Sequence, residues 1–113
     1  MVSELAKKEC VPCKGGVPPL PGERVDELLG ELDGWQVEEG YHLTRTCKFR
    51  NFAEALAFVN RVGEIAEQQN HHPDLHLAWG KVRVEVWTHK INGLTESDFI
   101  FAAKVDAAFA PAS

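Results

Sequence analysis

Several features that would assign a chain to a specialised class of protein are scarce in this one. It has three cysteines, an odd and small number that does not build a disulfide scaffold. No segment approaches the run of about 20 apolar residues that a membrane-spanning helix needs. No basic run is present to neutralise phosphates, and the formal net charge is −5. These absences argue against a membrane protein and against direct nucleic-acid binding, and they predict a reduced, cytoplasmic protein.

The composition is that of an ordinary globular domain. Of the 113 residues, 44% are apolar and 26% are charged, which suits one domain with a hydrophobic core. The beginning of the chain differs, because three prolines and three glycines between residues 15 and 22 interrupt any periodic pattern. We therefore expect an irregular amino-terminal arm over residues 1–22 and a single domain over residues 23–113.

Periodic patterns in the rest of the chain predict regular elements. Apolar residues at helical spacing predict three helices, and two of these begin with a capping box, Asn51 with Glu54 and Thr95 with Asp98. Alternation of apolar and polar residues predicts two β-hairpins. The order α-β-β-α-β-β-α predicts the α+β class, with a four-stranded antiparallel sheet and three helices packed on one face. The predicted elements are helix 23–32, strands 35–38 and 41–49, helix 51–69, strands 75–79 and 81–88, and helix 95–109.

Two of the predicted helices bear on how the chain assembles. The apolar stripe of helix 51–69 includes Phe52 and Leu56, which we expect to face the sheet.

The last helix is apolar on more than one face, since Phe99 and Phe101 lie about 200° apart around the axis and do not both point at one sheet. A row of exposed phenylalanines is an aggregation hazard. We therefore predict that this helix packs against other copies of the chain in a homodimer or a homotetramer.

Four of the five histidines lie between residues 71 and 89. His71, His72 and Pro73 come where the long helix ends; the helix dipole explains one histidine there, but two before a proline are less easily explained by capping alone. His89 falls on the face of its strand opposite the apolar residues, so it is free to face a cleft or solvent. Because histidine exchanges its proton near neutral pH, the group indicates proton-transfer chemistry such as dehydration, hydration or tautomerisation.

Metal binding is an alternative use of these residues. His72 and His76 have the i, i+4 spacing of zinc ligands on a helix, but Pro73 disfavours a helix through them. The CxxC pair at residues 10–13 has only Cys47 as a further cysteine, whereas a zinc ribbon needs a second pair. A mixed site of cysteines and histidines is the metal hypothesis that remains.

Two carboxylates near the histidines have ordinary structural explanations. Asp98 is the capping-box carboxylate of the last helix, and Glu67 is a solvated residue on the long helix. The sequence also has no phosphate-binding glycine loop and no nucleophile elbow. Acid–base chemistry without an obvious nucleophile is what these residues indicate by themselves.

One set of residues carries a resemblance to a known family over residues 23–109. The set has an ExxxHHP motif, followed at fixed distances by a Thr-His pair and a Gly-Leu-Thr segment with an aspartate. With it, the sequence resembles the pterin-4a-carbinolamine dehydratases, whose antiparallel four-stranded sheet and three helices agree with the predicted fold. The matching residues are Glu67, His71, His72, Pro73, Trp79, Thr88, His89, Gly93, Leu94, Thr95 and Asp98.

The resemblance implies an activity and a site. The family removes water from 4a-hydroxytetrahydropterin to give quinonoid dihydropterin, in the recycling of pterins such as tetrahydrobiopterin. It needs neither a metal nor another cofactor. By similarity, His71 and His89 are the acid–base pair and His72 binds and orients the pterin, so these three form the catalytic set. The substrate contacts implied by the resemblance are Glu67, Pro73, Thr88 and Asp98.

A non-catalytic role is the alternative function. Proteins that resemble this family also act as interaction modules, as a dimerisation cofactor of a transcription factor or as a Rubisco assembly factor. An interaction-only relative has no reason to keep all three histidines together with Glu67 and Asp98, and this chain has them all. The enzyme is therefore the favoured prediction.

Overall fold

The elements follow the predicted order. A computed structural model describes residues 20–32, 34–38, 42–91 and 93–109 of the chain. Three α-helices and a four-stranded antiparallel sheet confirm the predicted α+β class. The elements are α1 (Gly22–Leu29), β1 (Gln36–Glu38), β2 (His42–Lys48), α2 (Phe52–Gln69), β3 (Asp74–Ala78), β4 (Lys81–Val86), a 3₁₀ turn (His89–Ile91) and α3 (Glu96–Phe109).

The first helix begins one residue earlier than predicted and is shorter. Pro21 is its N-cap residue, and the N–H of Gly30 closes its other end by donating to the Asp26 carbonyl. Just before the helix, the Leu20 N–H donates to the Leu94 carbonyl at 2.9 Å, which ties the start of the domain to the segment before α3. Residues 1–19, most of the predicted arm with its CxxC pair, lie outside the described residues.

The strands pair in the order β1-β2-β4-β3, and every pairing is antiparallel. Every second residue of β4 is a fully buried valine facing the helices, as the alternation predicts. Arg83 and Glu85 lie on the opposite face, which we call the outer face of the sheet. The strand ends at Val86, two residues before the predicted end, and Thr88 then bridges to Gly93.

The long helix α2 begins where the capping box predicts. The Asn51 side chain accepts a hydrogen bond from the Glu54 N–H at 2.9 Å. The predicted apolar stripe is wrong at its start, because Phe52 and Leu56 remain 43% and 41% exposed. The face that meets the sheet is rotated away from both residues, since the buried positions recur at i, i+3, i+7 and i+11. These buried residues are Ala55, Phe58, Val62 and Ala66.

The last helix is buried within a single chain, which corrects the argument made from its sequence. Phe99 and Phe101 are both fully buried. They point in different directions, but α3 contacts α1, α2 and β2, so several of its faces are covered by its own chain. α3 therefore gives no support to the predicted homo-oligomer. In the part of the chain that the structure describes, the large apolar side chains that stay exposed are Phe52, Leu56, Leu77 and Trp79, on α2 and around β3.

A cluster of polar and aromatic contacts holds the end of α3 against the start of the sheet. The Trp35 Nε1–H donates to Asp106 Oδ1 at 2.7 Å, and Arg45 pairs with the same carboxylate. The Arg45 guanidinium also lies 4.7 Å from the ring centre of Phe109. Gly34 has φ +82°, and a Cβ there would lie 3.1 Å from Arg45 Nε. These contacts set the orientation of α3, whose opposite end reaches the candidate site.

Candidate active site

The end of α2 delivers the first of the predicted site residues. Asn70 takes the left-handed conformation, with φ 51° and ψ 44°, and its N–H donates to the Ala66 carbonyl. The His71 N–H donates to the same carbonyl at 3.1 Å. The chain thereby leaves the helix, and Pro73 leads it into β3. His71 and His72 lie at the junction, as the sequence predicts.

A fully buried carboxylate holds the first histidine. His71 Nε2 lies 2.6 Å from Oδ1 of Asp98, and the Asp98 side chain has no exposed area. The other carboxylate oxygen accepts the Thr88 hydroxyl and the Thr95 N–H, both at 2.8 Å. A buried carboxylate needs such donors, because burial without them is costly. Asp98 is thus both the capping-box carboxylate and the partner of His71.

The loop after β4 places His89. The Thr88 N–H donates to the Gly93 carbonyl at 2.9 Å, and the Ile91 N–H donates to the Thr88 carbonyl at 3.3 Å, which closes the 3₁₀ turn. The Thr88 hydroxyl is held by Asp98. His89 itself is exposed, next in sequence to this anchored threonine.

The second histidine of the junction has a partner of its own. His72 Nε2 lies 2.6 Å from Glu67 Oε2, one turn earlier on α2. Both side chains are largely exposed, 54% for His72 and 80% for Glu67. Solvent screens such a pair, so it adds little to stability and leaves both groups open to a ligand.

The structure brings some of the predicted residues together and leaves others apart. Asp98 joins His71 to Thr88 directly, and His89 follows Thr88 in the chain. Among the described residues, no hydrogen bond or ring contact joins His72 to His89. Thr88 is 3% exposed and Asp98 0%, so neither of these two predicted substrate contacts presents side-chain surface.

Two features of the site are not indicated by the sequence patterns. The Thr95 hydroxyl lies 3.1 Å from that of Thr88 and extends the buried network, in addition to the place of Thr95 at a helix start. The His42 ring stacks on Trp87, with the ring centres 3.8 Å apart. The signal for the second contact is the pairing of β2 with β4, which sequence periodicity alone does not specify.

The described residues offer neither a metal cluster nor a membrane span. Within them, no three His, Cys, Asp or Glu side chains are grouped to hold a metal ion. No helix they form is long and apolar enough to cross a bilayer. The mixed metal site that involves the CxxC pair lies partly outside the described residues.

Cys47, on the helix-facing side of β2, is a buried free thiol. Its pKa is raised to about 11, chiefly by burial, while the Arg45 guanidinium acts to lower it and the Asp106 carboxylate to raise it. The thiol is therefore neutral at physiological pH and is no nucleophile in the folded chain.

The class of protein is that of a small α+β domain in which helices cover one face of an antiparallel sheet. Residues 18–108 match the family model described as pterin 4 alpha carbinolamine dehydratase. The chain belongs to this family, which confirms the resemblance found in the sequence.

Individual relatives agree with the family match. A Rubrobacter xylanophilus protein, provisionally named a pterin-4-alpha-carbinolamine dehydratase, is 66% identical over 93% of this chain and 98% of its own length. A Rickettsia canadensis protein with the same provisional name is 56% identical over 91% of this chain and 95% of its own.

Solved structures match as well. One, described as a transcriptional coactivator/pterin dehydratase from Brucella melitensis, has a TM-score of 0.77 and 36% identity, and covers 81% of this chain and 99% of its own. A second, described as a pterin dehydratase-like RuBisCO assembly factor of the alpha-carboxysome, has a TM-score of 0.60 at 21% identity, over 71% of this chain and 94% of its own. The second likeness concerns the fold alone.

Proposed function

We propose that this protein dehydrates 4a-hydroxytetrahydropterin to quinonoid dihydropterin in pterin recycling. The bond between C4a and the hydroxyl oxygen breaks, a proton joins that oxygen to release water, and a second proton leaves a ring nitrogen. Hydroxide is a poor leaving group, so an acid at the oxygen and a base at the nitrogen are what the reaction requires. Family membership supports the reaction class, and the residues that follow support the mechanism.

One observation carries the proposal, namely the link that Asp98 makes between His71 and the segment that bears His89. An ionised carboxylate only accepts hydrogen bonds, so His71 donates its Nε2–H to Asp98 and keeps Nδ1 for proton exchange. Asp98 also accepts the hydroxyl of Thr88, the residue before His89. Asp98 therefore positions the first of the two histidines that we assign as acid and base, and holds the residue that precedes the second.

The remaining residues divide by exposure into substrate contacts and supports. His72 and Glu67 are exposed and paired, so we assign them to binding and orienting the pterin, whose ring carries donors that a carboxylate accepts. Pro73, half-buried beside them, shapes the entry to β3. Thr88 and Asp98 are buried, and we now propose that they position His71 and the His89 loop and do not touch the substrate.

The experiment that tests the proposal is an assay of carbinolamine decay with and without the purified protein. We expect the protein to accelerate the decay and His71→Ala to abolish most of the acceleration, while His76→Ala, an exposed histidine on β3, leaves it unchanged. Protonation of a leaving oxygen needs no Lewis acid, so a chelator should leave the rate intact. Equal decay with and without protein would refute the proposal.

A role in protein association is a second candidate, favoured by one observation. Strand β3 lies at an edge of the sheet, and Leu77 and Trp79 at its end remain 36% and 68% exposed. Phe52 and Leu56, in the first turns of α2, are exposed too, and α2 packs against β3. An exposed sheet edge with apolar side chains beside it is a surface for pairing.

We propose that a second copy of the chain covers this surface, giving a homodimer or a dimer of dimers, and that the protein acts in the cytoplasm, where a free thiol such as Cys47 stays reduced. Light scattering at micromolar concentration tests the assembly. We expect a mass of at least twice 12.6 kDa for the chain and a lighter species for Trp79→Glu. A mass of 12.6 kDa would show that the chain is a monomer and would refute the proposed assembly; the exposed surface would then be open to a different protein partner.

A further inference from the structure

His89 is held differently from three other histidines of the chain. His42, His71 and His72 each have a ring nitrogen 2.5–2.6 Å from a carboxylate oxygen. Among the described residues, the His89 ring has no such partner, and its ring contact is with Trp87, edge to face, with centres 4.4 Å apart and planes at 79°. A ring contact restrains the orientation of an imidazole without pairing it with a carboxylate.

Trp87 is in turn held by His42. The two rings stack in parallel, with centres 3.8 Å apart and an interplanar angle of 15°. They meet because Leu43 pairs with Val86 in antiparallel strands, which brings His42, the residue before Leu43, beside Trp87, the residue after Val86, on the outer face. His42 Nδ1 lies 2.5 Å from Glu85 Oε2, so the stacked imidazole is restrained within its own plane as well.

The restraint on His42 extends across three strands. Glu85 accepts from Arg83 Nη1 at 3.3 Å, and Arg83 Nη2 donates to Glu38 Oε1 at 2.6 Å. The other Glu38 oxygen accepts the Thr44 hydroxyl at 3.3 Å. The side chains of His42 and Glu85 are only 12% and 14% exposed, so their contact is better shielded from solvent than an ordinary surface ion pair.

We propose that Trp87, backed by His42, is a positioning device that orients the His89 ring for proton transfer; this rests on the proposed dehydratase function. His89 lies in a 3₁₀ turn beyond the end of β4, where the bridge between Thr88 and Gly93 holds the backbone but does not fix the His89 ring. An edge-to-face contact with Trp87, whose own ring is stacked on the hydrogen-bonded His42, restrains the imidazole there, and no carboxylate is paired with its nitrogens among the described residues. Trp87 and His42 are therefore positioning residues and make no contact with the reacting atoms.

Kinetics on four variants give the first test. We expect Trp87→Leu to lower kcat about tenfold with KM within about twofold, because misoriented acid–base groups slow the chemical step and not binding. Trp87→Phe keeps an aromatic edge and should retain at least half of kcat. His42→Leu should lower kcat about threefold. His76→Leu makes the same substitution on the same face of the sheet, away from the stack, and should leave kcat and KM unchanged.

NMR on the free protein gives a second test that does not depend on activity. We expect nuclear Overhauser contacts between the Trp87 and His89 rings, with the His89 ring protons shifted by the indole ring current. Both signals should weaken in His42→Leu and persist in His76→Leu, and in Trp87→Phe the phenyl ring should give equivalent contacts with the His89 ring. If the wild type has no dehydratase activity, the proposed function fails, and these signals still decide the positioning claim. Unchanged His89 signals in His42→Leu, or a Trp87→Phe variant as slow as Trp87→Leu, would overturn it.

Discussion

Two neighbouring histidines show how little a distance says by itself. His71 and His72 each lie 2.6 Å from a carboxylate oxygen, of Asp98 and Glu67 respectively. In the first pair the side chains are 14% and 0% exposed, and in the second 54% and 80%. The buried carboxylate is also held by a hydroxyl and a backbone N–H, whereas no such donor is seen for Glu67 among the described residues.

The difference shows that burial decides how much a pair of charged or polar side chains contributes to stability. An exposed ion pair adds about 0–1 kcal/mol, because water and salt screen it. Removing one partner of a buried pair costs about 3–5 kcal/mol, because the groups left behind lose both their partner and their water. The buried pair is suited to rigid positioning, and the exposed pair is suited to meeting a ligand.

The largest effect should come from deleting the buried carboxylate. We expect Asp98→Ala to lower the free energy of unfolding by about 3–5 kcal/mol, since His71, Thr88 and the Thr95 N–H all lose their acceptor. Glu67→Ala should change it by less than about 1 kcal/mol. Urea denaturation measures the free energy of unfolding of both variants. Equal losses would contradict the difference between the buried and the exposed pair.

Replacing the proposed acid and base tests whether the buried pair serves chemistry. We expect His71→Ala and His89→Ala each to lower kcat by roughly 10²–10⁴-fold, the usual contribution of a general acid or base. Circular dichroism should show that both variants stay folded, with His71→Ala the less stable because it leaves the buried Asp98 without one of its partners. Normal turnover in both variants would remove their assigned roles.

Cys47 shows what burial does to a group whose pKa is set chiefly by its removal from water. Its raised pKa means that the folded state holds the thiol proton more tightly than the unfolded state. The stability this gives is complete below about pH 9 and is lost as the pH rises through about 11, a change of roughly 2–3 kcal/mol. The free energy of unfolding, measured from pH 8 to 11, should fall more steeply for the wild type than for Cys47→Ala. If it falls equally in both proteins, the raised pKa of Cys47 is contradicted.

The smallest expected effect on stability and on kcat comes from the exposed pair. His72→Ala should raise KM several-fold and leave kcat within about twofold, because a group that binds ground state and transition state alike affects KM alone. Glu67→Gln should act in the same direction. Steady-state kinetics measure both parameters. A collapse of kcat at constant KM would mean that His72 takes part in the chemical step.

The site was partly predictable from short-range patterns. The two capping boxes predicted where α2 and α3 begin, and the structure confirms both starts. The ExxxHHP motif marked where α2 ends. What those patterns missed is that Asp98 serves the helix cap and His71 at once. That double use depends on two segments 27 residues apart meeting in space.

The sequence by itself determined the element order, the starts of α2 and α3 and the buried face of β4, because caps and two-residue alternation act between near neighbours. Tertiary structure alone decided which apolar side chains remain exposed, since Phe99 and Phe101 are buried on opposite sides of a helix that three other elements cover. It also decided the contact between His42 and Trp87, which arises from the register of β2 on β4. Contacts between distant segments depend on how all the side chains of the domain pack together, which short-range sequence patterns do not specify.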